Sequence, residues 1–255
     1  MRAEARIVAE PDGRGGTRLA VLRGESPLLL RRTGPRTGGD VTVHLVGGAA
    51  GPLRGDDLRL DIEVRPGARL TIRSVAAQLA LPGRPGGPAS RLEIRAAIAA
   101  GAALRWLPEP LIAAAGCDHR AITRVEVAPG GALLWRDDLV CGRHDEPCGD
   151  VHTDLSIRYA GSTLYRHELT VGSRAPGWSG GAVLGGGRAI GSLVLAGPQL
   201  PGPPLPGPAL PGGEAALMPL AGPGMLASAV GRDIRQVRAA LDPLCVDPLP
   251  LPVAV

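Results

Sequence analysis

Apolar and polar residues alternate with a period of two over much of the first two thirds of the chain, a pattern typical of β-strands with one buried face. The clearest stretch, residues 58–64, carries an apolar side chain at every second position. It leads into a turn at residues 65–68, Arg-Pro-Gly-Ala, after which Leu70 and Ile72 resume the alternation. Pro and Gly at the two central positions are what a type II turn requires. The pattern therefore predicts two β-strands joined by a tight turn.

The same unit recurs further along the chain. Residues 92–106 repeat it around a turn at Gly101, and residues 125–135 repeat it around a turn at Gly130. A degraded fourth copy spans residues 155–164. We interpret each copy as a two-stranded hairpin followed by a connection.

Aligning the turn glycines brings Ile72, Trp106 and Trp135 to equivalent positions of successive copies. A two-stranded unit cannot bury its apolar face alone, so such units must stack on one another. The sequence therefore predicts a mainly β fold in which stacked hairpin repeats form a β-helix-like, layered body. This architecture is favoured over an immunoglobulin-like sandwich because the repeat is visible in the sequence.

The C-terminal third of the chain has a different pattern. Residues 197–213 are rich in Pro and Gly and predict an extended surface loop. Apolar residues at helical spacing, from Val230 to Leu241, predict a helix over about residues 225–241 that packs across the β body. We expect residues 1–255 to form a single domain with one or two C-terminal helices.

Composition excludes some classes of function. The chain has no Lys, Asn or Phe, and Arg supplies all 28 basic residues, which indicates a GC-rich genome rather than a demand for binding. The formal net charge of +4 is spread along the chain and does not favour nucleic acid as a partner. No apolar stretch of spanning length is free of Arg and Pro, and no secretory signal is recognisable, so we expect a cytoplasmic protein with reduced thiols.

No catalytic centre is predicted. Residues 177–181, Gly-Trp-Ser-Gly-Gly, match the G-x-S-x-G motif of hydrolases, but those enzymes need a His after the Ser and none follows His167. The absence of Lys rules out a Walker A loop. The acidic pairs 56–57 and 137–138 flank predicted strands, and we expect them to be solvated turn residues.

A cluster of potential metal ligands lies between residues 141 and 152. Thiolate and imidazole groups from Cys141, His144 and Cys148 suit zinc or nickel. Their spacing matches no standard zinc finger or ribbon. The cluster predicts a transient contact with nickel rather than a permanently bound cofactor, and an accidental grouping of Cys and His residues is the alternative.

The segment around Glu109 is the most distinctive in the chain. Pro108 and Pro110 fix their own φ angles and restrict the residue before each, so Glu109 is held on a stiff backbone. A stiff backbone loses little entropy on binding, which suits recognition of a partner. The alternative is a strand that ends at a surface bend.

Several stretches resemble the family of the urease accessory protein UreD, also called UreH. They are LRLDIEVRPGA at 58–68, LRWLPEPLI at 104–112, DLVCGR at 138–143 and APGWSGGAVLGGGRAIGSLVL at 175–195. The resemblance implies a β-helix-like body with C-terminal helices and no catalysis. It also implies a role in joining UreF and the GTPase UreG to the urease apoprotein, with nickel passing toward the urease active site. The stoichiometry stays open, and a dimer within the accessory complex is one arrangement.

The resemblance also indicates interface or conduit residues. The W-L-P-x-P element of the family matches Trp106, Pro108, Glu109 and Pro110, and its Gly-Arg pair matches Gly142 and Arg143. Asp150 stands where the family has Glu, in a Gly-Glu-x-aromatic element of which this chain keeps little. We predict that these side chains contact partners or line the nickel path.

Two other classes of function remain as alternatives. A carbohydrate-active enzyme on a β-solenoid usually carries acidic or Arg side chains in register on successive coils. Here the equivalent positions hold Ile72, Trp106 and Trp135, which favours a core. A β-rich binding module would instead be a stable monomer that does not need UreF.

Overall fold

The computed structural model describes residues 1–34, 39–198 and 214–245. Within them the chain is mainly β-structure, as the alternating pattern predicted, with one α-helix near the C-terminal end. The elements are β1 (Arg2–Pro11), β2 (Thr17–Gly24), β3 (Leu28–Thr33), β4 (Val41–Gly47), β5 (Asp57–Val64), β6 (Arg69–Ser74), β7 (Gln78–Ala80), β8 (Ser90–Ile98), β9 (Ala103–Leu107), β10 (Leu111–Ala113), β11 (Asp118–Val127), β12 (Ala132–Cys141), β13 (Asp150–Tyr159), β14 (Ser162–Val171), β15 (Ala189–Ala196), β16 (Glu214–Pro219), β17 (Gly224–Gly231) and α1 (Ile234–Leu241), followed by a 3-10 turn at Asp242–Leu244.

The strands form two facing sheets. The first has the order β14-β13-β11-β8-β5-β1-β2, and the second has the order β16-β17-β15-β12-β9-β6-β4-β3. The repeated strands pair in parallel with their neighbours, as β5 does with β8 and β6 with β9. Towards the C-terminus the second sheet becomes antiparallel, from β12 through β15 and β17 to β16. The short strand β10 pairs in parallel with both β12 and β7. The predicted stacking of repeated units into a β-helix-like body is confirmed.

The turns between repeated strands are corners rather than hairpin loops. Gly67, Gly101 and Gly130 have φ angles of 76°, 67° and 79°, which a residue with a side chain rarely adopts. We predicted that the two strands of each unit pair with each other. They do not, because the strands on either side of each turn lie in different sheets. Both strands of a unit are apolar on one side, and a corner lets those two sides face each other across the core while each strand pairs with its equivalent in the next coil.

The side chains at equivalent positions form continuous rows through the second sheet. Ile72 lies opposite Trp106 in the ladder, and Trp106 lies opposite Trp135. The two indole rings stack with centroids 4.8 Å apart and an interplanar angle of 12°. The alignment predicted from the turn glycines is therefore confirmed, and the row forms part of the main core between the sheets.

True hairpins close the first sheet at both of its edges. The fourth copy begins as predicted, with Ile157 on β13 opposite Val125 on β11 in parallel register. After Gly161 the chain turns back, and β14 pairs antiparallel with β13 in the same sheet. At the other edge, β2 pairs antiparallel with β1. The winding of the coils thus ends where an antiparallel strand covers the last parallel one.

The C-terminal helix is shorter than predicted. Residues 224–231 form β17, in which Val230 lies opposite Ile190 of β15, and the helix begins only after Asp233. Val230 therefore matches the helical spacing only by coincidence and does not belong to the helix. Val237, Ala240 and Leu241 pack on the outer face of the second sheet, so the prediction that the helix covers the β body is confirmed.

Most of the predicted Pro- and Gly-rich loop at 197–213 lies outside the described residues, which resume at Glu214. In the described part of the chain, no helix combines the length and the apolar character needed to cross a lipid bilayer.

Candidate functional site

A cavity of about 620 Å³ lies between the two sheets. Its lining extends from Leu28 on β3, at one end of the stack, to His167 on β14 and Ser228 on β17 at the other end. The cavity lies on the side of the core away from the turns at the repeat glycines. It therefore passes through most of the coils of the β body.

The cavity has short side chains on both of its walls. They include Ala121 and Thr123 on the first sheet and Ser192 and Ser228 on the second, and larger side chains such as Leu60 and Ile94 also line it. Short side chains on both sheets cannot meet across a separation of about 10 Å, so space remains between them.

Asp137 is one of four acidic residues that line this cavity, with Glu109, Asp138 and Asp154. It follows Trp135 by two residues on β12, so both side chains point inward. The indole Nε1 of Trp135 donates to Oδ2 of Asp137 at 2.7 Å, and the indole Nε1 of Trp106 donates to Oδ1 at 3.4 Å. Burial raises the pKa of Asp137 to about 7, although both indole hydrogen bonds act in the opposite direction.

Two aromatic residues of β14 line the opposite wall. Tyr165 and His167 stack with ring centroids 6.1 Å apart. Burial, together with the nearby charge of Asp137, raises the pKa of Tyr165 to about 12. Partial burial lowers the pKa of His167, although the residue as a whole is exposed. A carboxylate, a phenol and an imidazole thus line one cavity.

The predicted W-L-P-x-P element forms part of the cavity wall. Trp106, Pro108 and Glu109 line it, whereas Pro110 is buried beside it. The backbone N–H of Glu109 donates to Oγ of Ser74 at 2.8 Å. Its carboxylate is about 40% exposed and forms an ion pair with Arg238 of α1. Glu109 therefore lies at the rim, where the cavity, the bend between β9 and β10 and the C-terminal helix meet.

Arg143 and Asp150 do not join this site. Arg143 lies on the exposed loop after β12 and forms an ion pair with Glu146. Asp150 accepts hydrogen bonds from Oγ of Ser173 at 3.0 Å and from the backbone N–H of Arg174 at 3.1 Å. Neither residue lines the cavity. The structure thus separates the predicted interface and conduit residues into a group at the cavity and a group away from it.

Of the predicted metal ligands, Cys141 and Cys148 come together but His144 does not join them. The interaction between the two thiols lowers the pKa of Cys141 and raises that of Cys148. His144 is 96% exposed and contacts Asp145, because the loop after Gly142 carries it away from the thiols. Among the residues with described positions, no group of three or more His, Cys, Asp or Glu side chains could hold a metal ion.

Sequence reasoning missed Asp137, Tyr165 and His167. The pair Asp137 and Asp138 was expected in a solvated turn, but both residues lie within β12, and Asp138 is buried on the other face of the sheet with Arg136. The spacing of two residues between Trp135 and Asp137 was a usable signal, because it puts the carboxylate on the same face as the core tryptophan. No comparable signal marks Tyr165 and His167, since β14 departs from the repeat.

The chain matches known proteins over nearly its whole length. Residues 1–246 match the sequence model of the family described as UreD urease accessory protein. A relative in Streptomyces griseus subsp. griseus, named urease accessory protein UreD 3, is 48% identical over 244 residues, covering 95% of each chain. Urease accessory protein UreD of Streptomyces avermitilis is 45% identical over 243 residues, again covering 95% of each chain. The protein of that name in Parafrankia sp. is 43% identical over 278 residues, covering 98% of this chain and 92% of the relative.

Proposed function

The chain belongs to the UreD family of urease accessory proteins, and on this premise we propose that it is a urease maturation factor without catalytic activity. Ni²⁺ is its cargo rather than a resident cofactor, and the ion passes through the interior cavity on its way to the urease active site. UreF, UreG and the urease apoprotein are the proposed partners, and the cytoplasm is the proposed location.

The carboxylate of Asp137 carries this proposal. It lies inside the cavity and makes no ion pair with any residue whose position is described. A buried carboxylate without a cation is costly, so its presence favours a site to which a cation comes. Imidazole suits nickel, and His167 lines the same cavity. A single carboxylate holds a divalent cation weakly, which suits transit because the ion must also leave.

Passage of Ni²⁺ past Asp137 is coupled to a proton. With a pKa of about 7, the carboxyl group is partly protonated at neutral pH. An arriving Ni²⁺ displaces the proton, and the carboxylate takes up a proton again when the ion leaves. Conduction should therefore be weaker below pH 7, where the neutral carboxyl form predominates.

The surface around Glu109 is the proposed contact for UreF. The Glu109 carboxylate and the Arg238 guanidinium form an ion pair there. Val75, which follows the hydrogen-bonding partner of Glu109, is 63% exposed, an unusual position for a large apolar side chain. A mixture of apolar and charged groups at the rim of a cavity is typical of a protein interface. We propose that Arg143 and Asp150, which lie away from the cavity, contact a different partner.

The test separates binding from conduction. We would express tagged protein together with its host's UreF, UreG and urease subunits, and measure both the recovered complex and the Ni²⁺-dependent urease activity in lysates. Asp137→Asn should leave the complex intact but lower urease activation about tenfold or more, in line with loss of a charged ligand. Glu109→Ala should lower the recovery of the complex. Asp145→Asn, at a side chain 87% exposed and outside the cavity, is the control.

Each result has a distinct meaning. Full activation by Asp137→Asn would contradict the conduit. Unchanged recovery with Glu109→Ala would contradict the rim as the contact surface. A chain that binds none of these partners, and whose deletion leaves urease activity intact, would overturn the whole proposal.

A further inference from the structure

Two stacked tryptophans donate to the two oxygens of the interior carboxylate. Parallel pairing puts Trp106 and Trp135 directly opposite each other, with ring centroids 4.8 Å apart. Because the rings are stacked and nearly parallel, their N–H groups reach the same carboxyl group. Trp135 contacts Oδ2 of Asp137 at 2.7 Å and Trp106 contacts Oδ1 at 3.4 Å. Each oxygen therefore accepts one indole hydrogen bond.

Neutral donors distinguish Asp137 from the buried acids of the described chain. Glu93, Asp118 and Asp138 each form ion pairs with one or two arginines, and Asp56 pairs with the N-terminal ammonium group. An arginine fixes a carboxylate but also neutralises its charge. An indole N–H fixes the carboxylate and supplies no positive charge, so the attraction of Asp137 for a mobile cation is retained.

We infer that Trp106 and Trp135 are positioning residues, whose indole N–H groups hold the Asp137 carboxylate in one orientation with its remaining lone pairs directed into the cavity, ready for a divalent cation. This inference rests on the proposed conduit. It assigns to the tryptophan of the W-L-P-x-P element a role in addition to packing. The core needs large side chains at these positions, but packing alone does not need their N–H groups.

Replacement of Trp by Phe isolates the N–H group from the ring. Phe keeps an aromatic ring in the stack but cannot donate a hydrogen bond. Loss of a donor leaves the Asp137 carboxylate free to rotate away from the cavity, so Ni²⁺ should bind more weakly. The effect should be larger for Trp135→Phe than for Trp106→Phe, because the first hydrogen bond is shorter.

The chain offers a matched control in Trp178, the third tryptophan, which packs against a separate cluster outside the cavity. We would prepare Trp135→Phe, Trp106→Phe, Trp178→Phe and Asp137→Asn in the full chain and measure binding of Ni²⁺ alone by calorimetry at pH 7. Thermal melting would show that each variant is folded. The other titratable groups at the cavity are the same in all four variants: Glu109, Asp138, Asp154, Tyr165 and His167.

We expect Trp135→Phe to bind Ni²⁺ about tenfold more weakly than Trp178→Phe. Trp106→Phe should show a smaller change in the same direction, and it carries the test if Trp135→Phe does not fold. A lower melting temperature with unchanged affinity for Ni²⁺ would mean a structural role only and would overturn the inference. If Asp137→Asn itself binds Ni²⁺ as well as the unmodified chain, the proposed conduit fails first.

Discussion

Two buried titratable residues, Asp137 and His119, respond to pH in opposite ways. Burial raises the pKa of Asp137 to about 7, so the protonated form is favoured in the folded state and its contribution to stability is lost as the pH rises through 7. Burial lowers the pKa of His119 from 6.5 to about 4, against the effect of Asp118. The neutral imidazole, whose Nδ1 lies 2.9 Å from Oγ of Ser90, is thus favoured in the folded state.

For His119 this predicts a loss of stability in acid. Between pH 6.5 and about 4 the unfolded chain binds a proton at His119 that the folded chain does not, so acidification costs roughly 3 kcal/mol of unfolding free energy. His119→Gln has no titratable group and should be less sensitive to pH in this window. Urea denaturation at pH 7 and at pH 4.5 measures the difference.

The control for this experiment is His144→Gln, on the exposed loop. Asp137 is present in all three proteins, so its opposite contribution cancels in the comparison. An equal loss of stability on acidification in His119→Gln and His144→Gln would show that His119 is not the group responsible.

At the scale of elements, the C-terminal helix depends on its cap and on packing. It has only eight residues, too few for a helix that is stable alone. The side chain of Asp233 accepts hydrogen bonds from the backbone N–H groups of Arg235 and Gln236. Beyond the helix, Arg136 on β12 forms ion pairs with Asp138 and with Asp242 of the 3-10 turn. These contacts hold Arg238 where it meets Glu109.

Removal of the cap should therefore destabilise the helix. Asp233→Ala leaves two backbone N–H groups without their acceptor and should lower the free energy of unfolding and the urea midpoint. Asp233→Asn keeps an acceptor oxygen and is the matched control. Urea denaturation, followed by circular dichroism, compares the two variants. Equal stability of the Ala and Asn variants would contradict this role of Asp233.

The error in the predicted start of the helix has a physical cause. Val230 and Ile234 are four residues apart, which matches a helical period. On strand β17, however, Val230 lies on the face opposite Ala227 and Ala229. Alanine side chains give a weak periodic signal, so the sequence favoured the helix. This segment forms a strand because it pairs with β15 at an edge of the second sheet.

On the scale of the whole molecule, the cavity extends across several coils and has the short side chain of Thr123 in its wall. Thr123 lies between Ile94 and Leu155 in one register row and lines the cavity. A larger side chain there would occupy interior space without displacing a packed neighbour. The cavity can therefore be narrowed at this position without a change in the packing of the β body.

Filling the cavity should separate stability from function. Thr123→Leu should leave the melting temperature unchanged or raise it, because apolar surface is added to an existing space. It should lower Ni²⁺-dependent urease activation several-fold by narrowing the path. Ile122→Leu, at the adjacent position on the outer face of the sheet, is the control and should leave both quantities unchanged. Unimpaired activation by a stable Thr123→Leu protein would contradict passage of Ni²⁺ through this cavity.

The sequence alone determined the features that repeat. The alternation of apolar residues, the glycines at the turns and the alignment of Ile72, Trp106 and Trp135 specified stacked β-coils, because strand period and turn geometry depend on neighbouring residues. Family resemblance and the W-L-P-x-P element identified Trp106, Pro108 and Glu109 as a group. These residues do lie together at the cavity.

Only the tertiary structure decided what the coils enclose. Whether a turn joins strands of one sheet or of two depends on which strands are available for pairing, and a turn sequence does not encode this. The convergence of Trp106, Trp135 and Asp137, and their position opposite Tyr165, depends on residues far apart in sequence. The separation of His144 from Cys141 depends on the path of one loop. A pattern read along the chain reports the local period of side chains, whereas a cavity and its charge arise from the register between coils.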